Sequence, residues 1–152
     1  MKTFFLKLWK ALKLPKNIQL IIMRIFQQEF LVGVTGIVFN DKNEILLFKH
    51  SYRQHQWSLP GGYMRAREHP AEGMEREIEE ESGFIVSMDK EIKIRTDRET
   101  ARLDICYSGI YIGGDFKQSA EVKEYRFFSF DNLPSLPTKQ ILIIQEAIKT
   151  RK

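Results

Sequence analysis

The order of apolar and polar positions divides the chain into strand-length and helix-length pieces. Residues 30–39 (FLVGVTGIVF) are apolar and β-branched, which predicts a strand, with Gly33 and Gly36 marking close approach. Asn40-Asp41-Lys42-Asn43 predicts a turn, and residues 44–49 (EILLFK) a returning hairpin partner. A polar loop, His50 to Gln56, leads into the apolar run from Trp57. Short strand pieces are expected at 84–86 and 90–96, with a turn at 97–100. A long alternating strand follows over 102–112, and another over 121–130. Helical spacing predicts two main helices. One runs between Pro70, suited to a first turn, and Gly83, suited to the left-handed residue that ends one. The other, from Thr138 as cap to about Lys149, turns Ile141, Leu142, Ile144 and Ile148 inward. Strands placed around two helices predict an α/β chain with a mixed sheet sandwiched between helices.

Residues 1–28 follow a different pattern. Phe4, Phe5, Leu8 and Leu12 form one helical stripe, with Lys2, Lys7, Lys10 and Lys13 largely off it. After Pro15, residues 18–28 predict a second, very apolar helix. The expected division is therefore an N-terminal basic amphipathic helical extension, 1–28, and a domain over 29–152. Docking of the extension on the domain or across a homodimer interface is the favoured reading. Contact of residues 1–14 with an anionic membrane surface stays open.

Charge changes the picture only when it is located. The net charge is +4, yet residues 1–28 hold six basic residues and no acid. The remainder carries 18 basic against 20 acidic residues, so no DNA partner is expected for the domain. One cysteine, Cys106, excludes an internal disulfide and fits a reducing, cytoplasmic setting. Its apolar, alternating surroundings predict a buried bystander. No apolar stretch is long enough to span a membrane, and no secretory signal pattern is evident. His50, His55 and His69 lack metal-ligand spacing and are expected at the surface.

The candidate chemistry lies between the Pro60-Gly61-Gly62 turn and Gly83. Glu77, Glu80 and Glu81 stand at i, i+3 and i+4, so three carboxylates are expected on one helix face. Their mutual repulsion is relieved by a hard divalent cation, Mg2+ or Mn2+. Paired glycines before the helix let carbonyls approach a ligand closely.

Gly62, five residues, Glu68, seven residues and then Arg76-Glu77-Ile78-Glu79-Glu80-Glu81-Ser82-Gly83-Phe84 resembles the Nudix box at every defined position. The resemblance extends upstream through Leu59-Pro60-Gly61 and covers the chain from about Phe30 onward. It implies a Nudix-type α/β/α sandwich with a central mixed sheet, beside the N-terminal helical extension. It also implies a Mg2+-dependent pyrophosphohydrolase of a nucleoside diphosphate linked to another moiety. By position, Glu77, Glu80, Glu81 and the Gly61 carbonyl would be the metal ligands. Arg76 would orient the carboxylates, and Glu68 would support the loop. The chain departs from the common pattern at Arg67, where many members have Gly, and at Gly73, where many have Ala. A general base is expected among the box glutamates or on a later loop, with Glu121 chosen over Glu124. Arg53 and Tyr52, in the polar loop, are candidates for meeting a phosphate and stacking on a base. Two other readings share the motif: RNA 5′-end processing, and a non-catalytic nucleotide-sensing domain.

Overall fold

The structure, a computed structural model, describes residues 15–26, 31–50, 56–97 and 101–151. The first fourteen residues and the 51–55 loop, with Tyr52, Arg53 and His55, lie outside the described residues. The chain separates into two compact units, 1–30 and 31–152.

In the first unit, helix α1 spans Lys16–Phe26. Ile18, Ile21 and Ile25, at helical spacing on one face, are exposed.

The second unit opens with strand β1, Leu31–Phe39, and β2, Ile45–His50, joined through the expected turn. The Asn40 side chain accepts hydrogen bonds from the backbone of Lys42 and Glu44, and Asn43 takes a left-handed φ of 58°. Short strands β3, Trp57–Ser58, and β4, Gly61–Tyr63, precede helix α2, Pro70–Ser82. Then come β5, Ile85–Asp97, β6, Arg102–Gly113, and β7, Val122–Phe128. Helix α3, Thr138–Arg151, follows a single 3-10 turn. The sheet order is β3-β2-β1-β6-β5, with β4 also on β1 and β7 on β2. Among the described residues only the β1–β6 pairing is parallel, so the sheet is mixed.

Both faces of the central strands are covered. Val34, Val38, Leu46 and Phe48 pack with Met74 and Ile78 of α2. The intervening Ile37, Phe39, Ile45 and Leu47 pack with Ile143, Ile144 and Ala147 of α3. Successive strand side chains point to opposite faces, so a continuous apolar run serves two cores. Gly36 allows α2 to sit close: a Cβ there would lie 3.1 Å from Met74 and from Met88. Each large apolar side chain buried this way stabilises by roughly 1.5–3 kcal/mol.

Three expectations need correction. Leu142 is exposed, not turned inward, because the face of α3 that meets the sheet is centred on Ile143, Ile144 and Ala147. The 84–86 and 90–96 pieces form one continuous strand, β5, whose register against β6 shifts at Met88/Lys90 and Glu91/Lys93. These bulges interrupt the two-residue period, which is why the alternation breaks there. His50 is buried, not at the surface, because it pairs with Val122 where β7 covers β2. His69 is exposed as expected, and it also caps α2. Its Nδ1 accepts from the Ala71 backbone, while Glu72 accepts from the His69 backbone, a reciprocal cap. At the other end Gly83 is left-handed, with φ 75°, and donates to Glu79 O.

Candidate active site

Three residues of β4 place the site. Gly61 pairs with Thr35 of β1 and borders a cleft on the α3 face of the sheet. Gly62 turns to the α2 face, where a Cβ would overlap the Glu77 carboxylate. Tyr63 turns back, and the Arg102 guanidinium lies 4.9 Å from its ring centroid. Alternation along this short strand thus sets two different environments side by side.

On the α2 side, Arg76 organises the carboxylates. Its Nε and Nη2 donate to both oxygens of Glu68, at 3.0 and 2.8 Å. Nη1 donates to Glu77 at 2.8 Å and to Glu80 at 3.2 Å, and Nη2 also reaches the Tyr63 carbonyl at 3.1 Å. Glu68 accepts in addition from the Arg65 backbone N–H, closing the loop before α2. Arg76, then that N–H, holds the Glu68 carboxyl down at about 2. Gly73 leaves room for Glu68, since a Cβ would stand 2.9 Å from its Oε1. Arg67, between these elements, has φ 73°, a conformation that favours glycine.

The expected convergence of Glu77, Glu80 and Glu81 is looser than helix spacing implied. Among the described residues, no three His, Cys, Asp or Glu side chains stand close enough together to hold a metal ion. Instead the carboxylates of Glu77 and Glu80 meet guanidinium groups: Arg76 Nη1 bridges the two, and Arg65 also pairs with Glu80. The donor set nevertheless fits Mg2+ or Mn2+, being composed of carboxylate oxygens beside a glycine carbonyl. The space at Gly62, which a side chain would fill, keeps Glu77 against the glycine turn.

On the α3 side the cleft has a volume of about 470 Å³. Its floor holds Asp104, whose side chain is 5% exposed. Arg95 contacts this carboxylate at 2.6 Å, Arg102 at 3.1 Å, and the Thr35 hydroxyl donates at 3.1 Å. Lys139 and Gln140 of α3 form the opposite wall, and Gln140 Oε1 accepts from the Leu59 backbone at 3.1 Å. Cys106 is buried beneath, and its thiol is pushed up to about 12 by burial and by Asp104, so it is not a nucleophile. Sequence reasoning missed this cleft. Its only signal was an acid, Asp104, in an otherwise apolar alternating strand.

The remaining candidates separate clearly. Glu121 is exposed on the loop just before β7. That loop is anchored at the end of α2 by Lys117 N donating to Ser82 O at 2.8 Å. Glu124, within β7, is ion-paired to Lys49 at 2.9 Å, which lowers its pKa.

With this geometry in place the comparisons are direct. A sequence model of the NUDIX domain matches residues 29–148, and the chain belongs to the Nudix family of hydrolases. An ADP-ribose pyrophosphatase of Methanocaldococcus jannaschii is 32% identical over 124 residues, covering 78% of this chain and 73% of that protein. The crystal structure of a UDP-X diphosphatase superposes with a TM-score of 0.71 at 20% identity, over 92% of this chain and 74% of that one. An ADP-ribose pyrophosphatase structure from Streptococcus suis gives a TM-score of 0.68 at 23% identity, over 82% and 96%. These two structures share the fold. No helix among the described residues is long and apolar enough to cross a membrane.

Proposed function

We propose that this Nudix hydrolase cleaves the diphosphate of a nucleoside diphosphate linked to another moiety: NDP–X plus water gives NMP plus phospho-X. The observation that carries the proposal is the opposite charge balance on the two sides of β4. The α2 side gathers glutamates around Arg76, and the α3 side presents arginines in a cleft. A divalent cation and an anionic, partly organic substrate are the ligands that such a pair of environments suits. ADP-ribose is the first substrate to test, from the relative that bears that activity in its name.

Glu77, Glu80, Glu81 and the Gly61 carbonyl would hold Mg2+, or Mn2+ in its place. When bound, the metal neutralises diphosphate oxygens and lowers the pKa of attacking water. Arg76 keeps Glu77 and Glu80 oriented through its shared Nη1. Gly62 keeps that face of β4 open to Glu77. The cleft beside Gly61 takes an organic end of the substrate, with Tyr63 and Arg102 at its border. Glu121, exposed on the loop that Lys117 anchors at the end of α2, would take the proton from water.

The deciding experiment incubates the protein and Mg2+ with ADP-ribose, nucleotide sugars, CDP-alcohols, dinucleoside polyphosphates, oxidised dNTPs and 5′-triphosphate RNA. Release of NMP and a phosphorylated second product from an NDP–X is the expected result. Activity on 5′-triphosphate RNA alone, or on none of the panel, overturns the proposal.

A further inference from the structure

The cleft on the α3 face carries more positive charge than its own acids neutralise. Lys93, Arg95, Arg102 and Lys139 line it against Asp104 and Glu146, a surplus of two positive charges. The pairing shows where that surplus lies. Lys93 is matched by Glu146 at 3.0 Å, and both are well exposed. Arg95 and Arg102 share the single carboxylate of Asp104, and Nη1 of each makes no hydrogen bond among the described residues. Arg102 is also fixed by shape: a Cβ on Gly33 would overlap its guanidinium, and the Tyr63 ring lies against it. Lys139, exposed in the first turn of α3, has no ion pair among the described residues. Two anchored guanidinium groups thus share one charge, and an unpaired ammonium stands in the opposite wall.

We propose that this cleft binds a phosphate monoester that the substrate carries in addition to the diphosphate to be cleaved. The inference rests on the NDP–X reading above and narrows its substrate class. The substrate is then a nucleoside diphosphate derivative with a further phosphate, on the nucleoside or on X. A neutral sugar or base in the cleft would leave the surplus charge unmet. A phosphate monoester carries about −1.5 to −2 charge at pH 7 and three acceptor oxygens. That matches the surplus in both sign and size. Guanidinium N–H groups meet phosphate oxygens in a planar fork, and lysine adds a point charge from the other wall. Asp104 is a positioning residue here: it holds the two arginines together and leaves Nη1 of each for the ligand. The scissile diphosphate belongs, in that reading, with the glutamates across β4.

The test is equilibrium binding by titration calorimetry in EDTA, so that no ligand is turned over. The ligands are ADP-ribose, 2′-phospho-ADP-ribose and ADP-ribose 1″-phosphate. A phosphorylated ligand should bind roughly tenfold or more tightly than ADP-ribose, from the charged hydrogen bonds it gains. Which of the two gains shows whether the phosphate sits on the nucleoside or on X. Lys139→Gln should cut the preference roughly threefold. Lys139→Glu, an exchange that the first turn of a helix accepts, should abolish it. Equal binding of the three ligands, or no measurable binding, overturns the proposal. A preference that Lys139→Glu leaves intact overturns it too. The two readings fail separately. A preference for the phosphorylated ligand without hydrolysis of any NDP–X in Mg2+ upholds the phosphate site and sinks the NDP–X reading. Hydrolysis of ADP-ribose without such a preference does the reverse.

Discussion

Two arginine–carboxylate networks flank β4, and they are built with opposite excess. On the α2 side Arg65 and Arg76 meet three carboxylates, those of Glu68, Glu77 and Glu80. On the α3 side Arg95 and Arg102 meet one, that of Asp104. The acid-rich network is partly open, with Glu80 at 47% exposure, so its surplus negative charge can be met by an incoming cation. The cation-rich network encloses its single carboxylate, and its surplus positive charge faces a cleft. A buried carboxylate that two guanidinium groups share is tolerable; the same carboxylate unpaired would be costly. The same residue types therefore set up sites of opposite sign, decided by stoichiometry and burial.

The largest effect is expected from disturbing the acid-rich side. Glu80→Gln retains shape but removes the charge of a proposed metal ligand, and should reduce kcat by orders of magnitude while the melting curve is kept. Wild-type turnover by that variant, or full activity in excess EDTA, removes the metal from the comparison. At the proposed base, Glu121→Gln should lower kcat by roughly 100-fold or more. Glu124→Gln, which breaks exposed pairs with Lys49 and Arg126, should change it little. The reverse order assigns the base to Glu124.

A stability effect is expected next, from the cation-rich side. Asp104→Asn leaves two guanidinium groups half-buried around a neutral amide, and should cost about 3 kcal/mol in chemical denaturation. A loss under about 1 kcal/mol means that the two networks do not differ as their burial implies.

Acid should separate the networks further. Glu68 is held at about 2 in the folded protein, below its ordinary 4.5. A depressed folded-state value stabilises fully above about 4.5, and this stabilisation is lost as pH falls toward about 2. The thermal midpoint should fall across that window, and less steeply in Glu68→Gln than in the unaltered protein. Parallel curves would mean that the Arg76–Glu68 contact does not contribute to folding.

The smallest effect concerns Arg67, which holds a left-handed conformation where many family members have glycine. Arg67→Gly relieves a cost of about 1–2 kcal/mol, but it gives back about 0.4–1 kcal/mol through the more flexible unfolded chain. A gain of a few tenths of a kcal/mol to about 1 kcal/mol follows, measurable as a shift in denaturation midpoint. A loss would show that the Arg67 side chain makes a contact worth more than the strain.

Features that depend on near neighbours were legible in the chain. Helix α2 was bounded by Pro70 and Gly83 because both act within a turn of their own position. The β1–β2 hairpin followed from Asn40 and its neighbours, whose hydrogen bonds close inside four residues. The placement of Glu68, Arg76, Glu77 and Glu80 was legible because one loop and one helix carry them all. The remainder came from contacts between distant segments. Thr35 and Asp104 are 69 residues apart and meet only because β1 and β6 pair in parallel. Arg95 joins them only through the bulged register of β5 against β6. The direction in which Glu77 and Glu80 turn was likewise undecided by spacing, since a helix fixes where a Cβ starts and not which charge its carboxylate finds. His50 was misplaced for a similar reason: its burial depends on β7, some seventy residues later, covering β2. Local spacing carries no trace of such contacts, because the energy that fixes them comes from packing between segments distant in the chain.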